Sequence, residues 1–381
     1  MNILLIAPHP FFAERGTPIA VKLMIETLCE FGHKVDLLTY HEGSNISVSG
    51  LTINRIPNIF FLKKIPIGFS WKKIVADIFI TFSLIRLVTK NKYDVIHAVE
   101  ESIFPAVVLN FFLKKKLIYD MDSSMADQLI EKHEFLKRYQ KLLDNFEAVA
   151  VKGADIVIPV CRYLADKVRN HNPRKKIFVL EDIAFKQDGI REEENLREKY
   201  NLCGVVALYV GNLVHYQGID LLLESIRKVN SKIPFSVVII GGKEENISKY
   251  QKMAEELNIS DKIYFIGPRK FINLPYYLSQ ADILLSPRIK GKNTPMKLYS
   301  YLASGKPVLA TKIDSHVQAI DDTNSRLTDP NPDSFAKGLQ ELIENEDIRN
   351  NIGEAGRTLA QNNYSLESYK VKLKNIYDQL D

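Results

Sequence analysis

Three features of the sequence predict an α/β chain of two doubly wound domains: its length, its alternation of short apolar runs with helical patterns, and a break in composition near the middle. The chain has 381 residues, 46% hydrophobic and 25% charged. That is more than one hydrophobic core holds, so two domains are expected. In the first half NILLIAP, KVDLLTY, LTINRIP, DVIHA, KLIYD, DIVIPV and KIFVL read as strands rich in Ile, Val and Leu. Helical patterns fall between most of them. TPIAVKLMIETLCEFG, residues 17 to 32, opens on Thr17 with Pro18 and stops at Gly32. Buried strands that alternate with helices make parallel βα units. Residues 182–204, DIAFKQDGIREEENLREKYNLCG, are polar and strandless, and read as an interdomain connection with a short solvated helix. The alternation restarts at VVALYVGN and continues through FSVVIIGG, KIYFIG, DILLSP and KPVLAT. From about Asp333 the pattern is helical. The predicted organisation is a first domain at 1–181, a linker at 182–204, a second domain at 205–364, and a helix at 365–381 free to return to the first.

Charge and cysteines narrow the function classes. A net charge of +5 suits an anionic ligand or a membrane surface and is too weak for a nucleic-acid binder. Cys29, Cys161 and Cys203 are scattered, with no CxxC pair, which fits a reducing, cytoplasmic compartment and no zinc site. MNILLIAPHP lacks the basic leader of a signal peptide. Residues 56–92 hold the one membrane-like stretch. Its apolar part, IVADIFITFSLI, is too short to span and contains Asp77. Two readings of it coexist: a buried core helix, or a monotopic patch in which Phe60, Phe61 and Trp71 dip into anionic lipid met by Lys63, Lys64, Lys72 and Lys73.

The chemistry is expected in the loops after strands, where open α/β sheets bind ligands. In ADILLSPRIKGKNTPMKLYSYLASGKPVLAT, residues 281–311, a strand leads through a basic loop into a helix. Thr294 takes the N-cap position with Pro295 first in the helix, and Gly305 ends it. Arg288, Lys290, Lys292 and Lys297 then surround a helix start, an arrangement that favours phosphate. Gly16 and Thr17 open a second anion-ready helix, and Glu14 and Arg15 just before it are placed to reach a cleft. There is no GxGxxG fingerprint. In VGNLVHYQG, Gly211 and Gly218 bracket Asn212, His215, Tyr216 and Gln217, neutral groups suited to phosphate or sugar. Carboxylates gather after two strands of the first half: Glu100 and Glu101, then Asp120 and Asp122 followed by Ser123 and Ser124. Asp122 or Ser123 could instead cap the next helix. His97, inside a strand, reads as a hydrogen-bonded core residue. No His or Cys cluster accompanies the acids, so no protein-held metal is expected.

These blocks together resemble the GT-B fold glycosyltransferases of group 1, family 4. The blocks are NILLIAP…GTP…GHKVDLLTY, YDVIHA, ADIVIPV, LYVGNL…QGIDLLLE, FIGPRKF..LPYYLSQADILLSP and TPMKLYSYLASGKPVLAT. The resemblance implies two Rossmann-like domains with a cleft between them and a C-terminal helix crossing back. It also implies a nucleoside-diphosphate sugar held by the second domain and transfer with retention of configuration. The family's pair of glutamates with seven residues between them falls on Lys292 and Ser300 here, its basic pair on Asn212 and Gln217, and its histidine after the DVIHA strand on Val99. The chain therefore reads as a variant subgroup. Lys297, Arg288 and the N–H groups near Asn293, Thr294 and Met296 are then expected to cradle the diphosphate, Ser300 to meet the ribose weakly, and backbone around Gly267 and Arg269 to meet the base. Glu100, Asp120 and Asp122 are the acids available to the acceptor, and no cofactor or metal is required.

The acceptor expected is a glycan or a lipid-linked sugar of envelope polysaccharide or glycolipid synthesis, with peripheral contact to an anionic membrane. Two other readings remain. One is a non-catalytic nucleotide-sugar binder or partner subunit. The other is a GT-B nucleotide-sugar epimerase.

Overall fold

In the computed structural model, which describes residues 1–13, 16–58, 60, 62–65, 70–184 and 194–380, the chain forms two compact α/β units. Unit 1 comprises Met1–Glu181 with Lys370–Asp381, and unit 2 comprises Asp182–Tyr369. Each is an α/β domain built on one parallel sheet, the two-domain organisation that the sequence predicts.

Unit 1 carries strands β1 (Asn2–Ala7), β2 (Lys34–Thr39), β3 (Leu51–Arg55), β4 (Val95–Val99), β5 (Lys116–Met121), β6 (Ile156–Pro159) and β7 (Lys176–Ile177). They form one sheet in the order β3-β2-β1-β4-β5-β6-β7. Its pairings are parallel. Its helices are α1 (Gly16–Glu30), α2 (Trp71–Lys90), α3 (Ile103–Leu113), α4 (Met125–Lys132), α5 (Gln140–Gly153) and α6 (Arg162–His171). Alternate strand residues such as Leu4, Ile6, Ile96, Ala98, Leu117 and Tyr119 join α2, α3, α5 and α6 in one core, so these four helices share one face of the sheet. His97 points to the other face. There its Nδ1 hydrogen-bonds the Tyr377 hydroxyl at 2.8 Å, as the core reading of this histidine expects.

Unit 2 carries α7 (Leu196–Lys199), then β8 (Val205–Val210), α8 (Ile219–Lys228), β9 (Phe235–Ile240), α9 (Glu244–Glu256), β10 (Ile263–Gly267) and α10 (Leu274–Ser279). There follow β11 (Ile283–Ser286), α11 (Lys297–Ala303), β12 (Val308–Thr311), α12 (Asp314–Val317), β13 (Arg326–Thr328), α13 (Pro332–Glu344) and α14 (Glu346–Asn363); the last helix, α15 (Leu366–Asp378), starts in unit 2 and belongs to unit 1 from Lys370 on. Its sheet runs β10-β9-β8-β11-β12-β13. Both faces of β8 are buried: Ala207 and Tyr209 pack with α8 and α13, and Val206 and Leu208 with α10 and α11. That explains why its sequence shows no polar alternation. The stretch 194–204 is fastened to unit 2, where Arg197 pairs with Asp282 at 2.6 Å and the Leu196 N–H donates to Gln280 Oε1 at 2.7 Å.

α2 combines a core side with an outward apolar side. It buries Ala76, Ile80 and Leu84 yet leaves Trp71, Ile74, Ile78 and Phe82 exposed. Lys73 turns inward to Glu101, at 2.6 Å, rather than out to solvent. Phe61, with Glu14 and Arg15, lies outside the described residues. Among the described residues no helix is long and apolar enough to cross a membrane.

Candidate functional site

The order of the unit 2 sheet sets the site. From β8 the chain moves outward through β9 and β10, then returns to β11 on the other side of β8. The ends of β8 and β11 therefore form the switch point at which such sheets leave a crevice. Two loops meet there. Gly218, at φ +75°, has its Cα so close to the Pro287 carbonyl that a Cβ would sit 1.9 Å from that oxygen. The Ile289 N–H donates to the Tyr216 carbonyl at 2.9 Å. The Tyr209 hydroxyl donates to the Asn212 carbonyl at 2.7 Å, with Gln217 Oε1 at 3.4 Å. Gly211, at φ +151°, lets the Tyr209 hydroxyl approach, which would lie 2.9 Å from a Cβ placed there, with the Lys297 ammonium in contact beside it at 3.6 Å.

The four basic residues have four different environments. Arg288 is half-buried and organises its own loop: Nε donates to the Lys290 carbonyl at 2.7 Å and Nη1 to the Asn293 carbonyl at 3.1 Å. Its guanidinium also lies 5.1 Å from the Tyr216 ring centre. Lys292 pairs with Asp314 at the surface, at 3.2 Å. Lys290 is exposed. Lys297 differs from all three. Its stem is partly exposed, but its Nζ is shielded from solvent, has no hydrogen-bond partner, and lies 3.9 Å from the Tyr209 ring centre. Burial, with the Arg288 charge nearby, pushes this ammonium well below the ordinary lysine range.

The nearby titratable group offers no compensating anion. His316 is buried, with Nδ1 at 2.7 Å from the Thr311 carbonyl and Nε2 at 2.9 Å from Ser286 Oγ. Burial, reinforced by Lys297 and Arg288, lowers it to about 3, so it is a neutral brace. The Nδ1–H donates to the carbonyl and Nε2 accepts from the serine, the tautomer these contacts require. His316 was missed in the sequence because it lies in a short helix after β12, thirty positions from its serine.

The helix start is displaced from the position the sequence predicts. α11 begins at Lys297, and its capping position is Met296, with no side-chain cap. Pro295 instead accepts the Leu298 N–H at 2.9 Å in a preceding turn, so Thr294 stands outside the helix. Thr294 and Met296 are half-buried, and Ser300 is buried one turn along. Gly305, at φ +72°, ends the helix as the sequence predicts. Gly267 closes β10 and gives its carbonyl to the Gly241 N–H at 2.9 Å. Arg269 is held by Glu194 at 2.7 Å and by the Tyr200 hydroxyl at 3.2 Å, which makes its side chain a latch for residues 194–200.

Unit 1 has its own switch point, between β1 and β4. Gly16 and Thr17 open α1 after β1. Glu100 follows β4 in a left-handed conformation, φ +53°, uncommon for a residue with a side chain. Ser123 Oγ donates to both of its oxygens, at 2.8 and 3.0 Å. The capping serine of α4 is Ser124, not Asp122 or Ser123, and it accepts the Asp127 N–H at 3.2 Å. Asp122 is half-buried, while Asp120 is buried with His97 Nε2 at 3.4 Å. Lys73 lies among Glu101, Glu100 and Asp77, and the Tyr40 hydroxyl bonds Asp77. Lys73 and Asp77 are four apart on α2, a spacing the sequence showed but which only the fold connects to Glu101.

Burial, then the Glu101 charge, raises Glu100 from 4.5 to about 8 and Asp77 to about 7. In the unfolded chain Glu100 ionises near 4.5; in the folded chain it keeps its proton up to about 8. Folding therefore takes up a proton between those values, and stability is lost as pH rises through that window. Glu100→Gln removes this penalty and keeps an acceptor for Ser123. Its melting temperature is expected to match the wild type near pH 4, to gain on it as pH rises, and to level off above pH 8. A constant offset across that range, read by calorimetry, would show that Glu100 does not titrate there.

One group among the described residues has metal-ligand geometry: Asp144, Glu147 and His171, with ligand atoms within 4.8 Å of one another. Lys167 Nζ already stands among them, 3.4 Å from Asp144 and 3.6 Å from Glu147, and supplies the positive charge.

Residues 187–359 match the family model for glycosyl transferases group 1, and residues 15–181 match that for glycosyltransferase family 4. An uncharacterized glycosyltransferase of Methanocaldococcus jannaschii is 24% identical over 340 residues, 85% of this chain and 81% of the relative. Among solved structures, sucrose-phosphate synthase from Thermosynechococcus elongatus superposes with a TM-score of 0.79 at 17% identity, over 100% of this chain and 98% of that one. Anabaena HepE in complex with UDP superposes with a TM-score of 0.74 at 13% identity, over the full length of both.

Proposed function

The chain belongs to the group 1 glycosyltransferases of the GT-B fold, and from that premise we propose that it moves a sugar from a nucleoside-diphosphate sugar, with retention, onto a glycan or lipid-linked acceptor of envelope polysaccharide or glycolipid synthesis. The observation that carries the donor half is Lys297: a shielded Nζ without a hydrogen-bond partner, at the switch point of unit 2. A buried amine with no acceptor is costly, and an arriving diphosphate relieves that cost by supplying one. The structural neighbour that holds UDP agrees with this donor class.

In this reading Lys297 and Arg288, with the backbone near Asn293, Thr294 and Met296, hold the diphosphate. Charge develops on that group as the sugar–phosphate bond breaks, and a fixed cation in a dry site stabilises it there. The cationic side chains do this without a metal. Asn212 and Gln217 meet phosphate or sugar oxygens beside Gly211, Ser300 takes the ribose, and backbone near Gly267 takes the base. On unit 1, Glu100 hydrogen-bonds the acceptor hydroxyl. Of the three acids singled out it alone joins a strand end, a left-handed backbone and a raised pKa.

The test is thermal stabilisation by UDP, GDP, ADP, TDP and CMP, each with magnesium and with a chelator. One diphosphate is expected to stabilise the fold by about 2.7 kcal/mol at 100 times its dissociation constant, with chelator making no difference. Stabilisation by none of them would sink the donor reading and leave a partner subunit of the same fold. Stabilisation only with magnesium would sink the metal-free part.

A further inference from the structure

Helices α2, α3 and α5 are three of the four that cover one face of the unit 1 sheet, and their outward sides are not polar. Trp71 and Phe82 on α2 are 60% and 65% exposed, Phe111 and Phe112 on α3 are 78% and 76% exposed, and Phe146 on α5 is 53% exposed. The rings of Phe104 and Phe146 stack at 4.5 Å, which joins the outer sides of α3 and α5. A single exposed apolar residue is ordinary, but aromatic residues facing outward from three helices of one layer form a patch.

The exposed charges on the outward sides of these three helices are basic, while on α6 in the same layer the exposed Asp166 is paired with Arg169 at 2.6 Å. Lys114 and Lys115 follow α3 just after Leu113 and are exposed, and residues 102–119 contain no carboxylate. Arg86 on α2 and Lys141 on α5 are also exposed. The acids within these helices turn away or are paired: Asp77 bonds Tyr40, and Asp144 and Glu147 face Lys167. We propose that this three-helix face docks the protein on an anionic lipid bilayer. The aromatic rings enter the boundary between headgroups and acyl chains, and the lysines lie among the anionic headgroups. A second copy of the chain fits the face less well, because a two-fold contact would set one basic rim against another. The face reaches well beyond the stretch from Phe60 to Lys73, and Lys73 is not part of it. It does not rest on the transferase reading, since a chain that transfers nothing would still bind.

The full chain is sedimented with vesicles of phosphatidylcholine alone and of phosphatidylcholine with about one-third phosphatidylglycerol, a leaflet of the surface charge that attracts polybasic segments. Binding is expected to the mixed vesicles only, and to fall with added salt. Lys114→Glu with Lys115→Glu, and separately Phe111→Ser with Phe112→Ser, are each expected to weaken it by about ten-fold or more. Both double variants should melt with the wild type, because all four side chains are exposed. No binding to the mixed vesicles at low salt, or equal binding by both double variants, would overturn the proposal. So would a wild-type dimer in light scattering that the phenylalanine variant dissociates, since it assigns the face to a second copy.

Discussion

Lys297→Met is expected to melt higher than the wild type and to lose its stabilisation by nucleoside diphosphates. The two effects have opposite signs because the free protein bears a cost that the ligand relieves. The Lys297 Nζ is shielded and has no hydrogen-bond partner. Leaving such a group unsatisfied costs about 1–3 kcal/mol. Methionine keeps the length and packs its sulfur against the Tyr209 ring, so most of that cost is returned. For a unit of this size each kcal/mol is worth about 2–4 °C in melting temperature. Removing one partner of a buried charge pair costs about 2–5 kcal/mol, so diphosphate affinity is expected to fall by roughly 30-fold or more.

A second readout separates this from a purely structural role. The free amine has its pKa held down by burial, and the bound one faces phosphate, so binding takes up a proton. Wild-type affinity should then weaken as pH rises above the depressed pKa, by up to about ten-fold per unit. Calorimetric titration in buffers of different ionisation enthalpy reports the proton directly. A Lys297→Met protein that melts lower and still binds would make the lysine part of the scaffold, and the donor site would have to be sought elsewhere.

Removal of residues 370–381 is expected to unfold unit 1 and leave unit 2 standing. Leu373, Ile376, Tyr377 and Leu380 are each at most 5% exposed. At about 1.5–3 kcal/mol for each buried side chain the loss is roughly 6–12 kcal/mol, comparable to the whole stability of a domain. The truncation also deletes the Tyr377 contact to His97 and the pairs Lys370–Glu30 and Lys372–Glu181. Hydrogen exchange should show β1 and β4 unprotected while β8 and β9 keep their protection. Full protection of β1 in the truncated chain would sink the expectation.

Much of the fold was legible because its signals are local. Short apolar runs marked strands of both sheets, and glycines such as Gly32 and Gly305 marked helix ends. Where the local signal imitated another, the position slipped. Thr294–Pro295 has the grammar of a helix start, but Pro295 serves a turn before α11. Ser123 and Ser124 are equivalent as caps until Glu100 claims the first. The site was legible as a place more than as a chemistry. The sequence put four cations around one loop, but which of them lacks a hydrogen-bond partner depends on Asp314, Tyr209 and Gly211, which are far apart in the chain. Arg269 looked available for a ligand because Glu194, which holds it, lies 75 positions away. The outward phenylalanines of α3 were invisible for the opposite reason: in IFPAVVLNFFL every apolar residue reads as core.

The division of unit 1 between the two ends of the chain also sets a schedule for its synthesis. Residues 1–181 leave the ribosome without the segment that covers His97 and Asp120, and that segment follows only after residues 182–369 have been made. At about 5–20 residues per second those intervening residues take roughly 10–40 s. During that interval the nascent chain carries an open sheet face on the side opposite its outward phenylalanines, so unit 2 can finish folding first although it is translated second. The order of maturation is thus the reverse of the order of translation, and a stall late in the message would strand the early half unfinished.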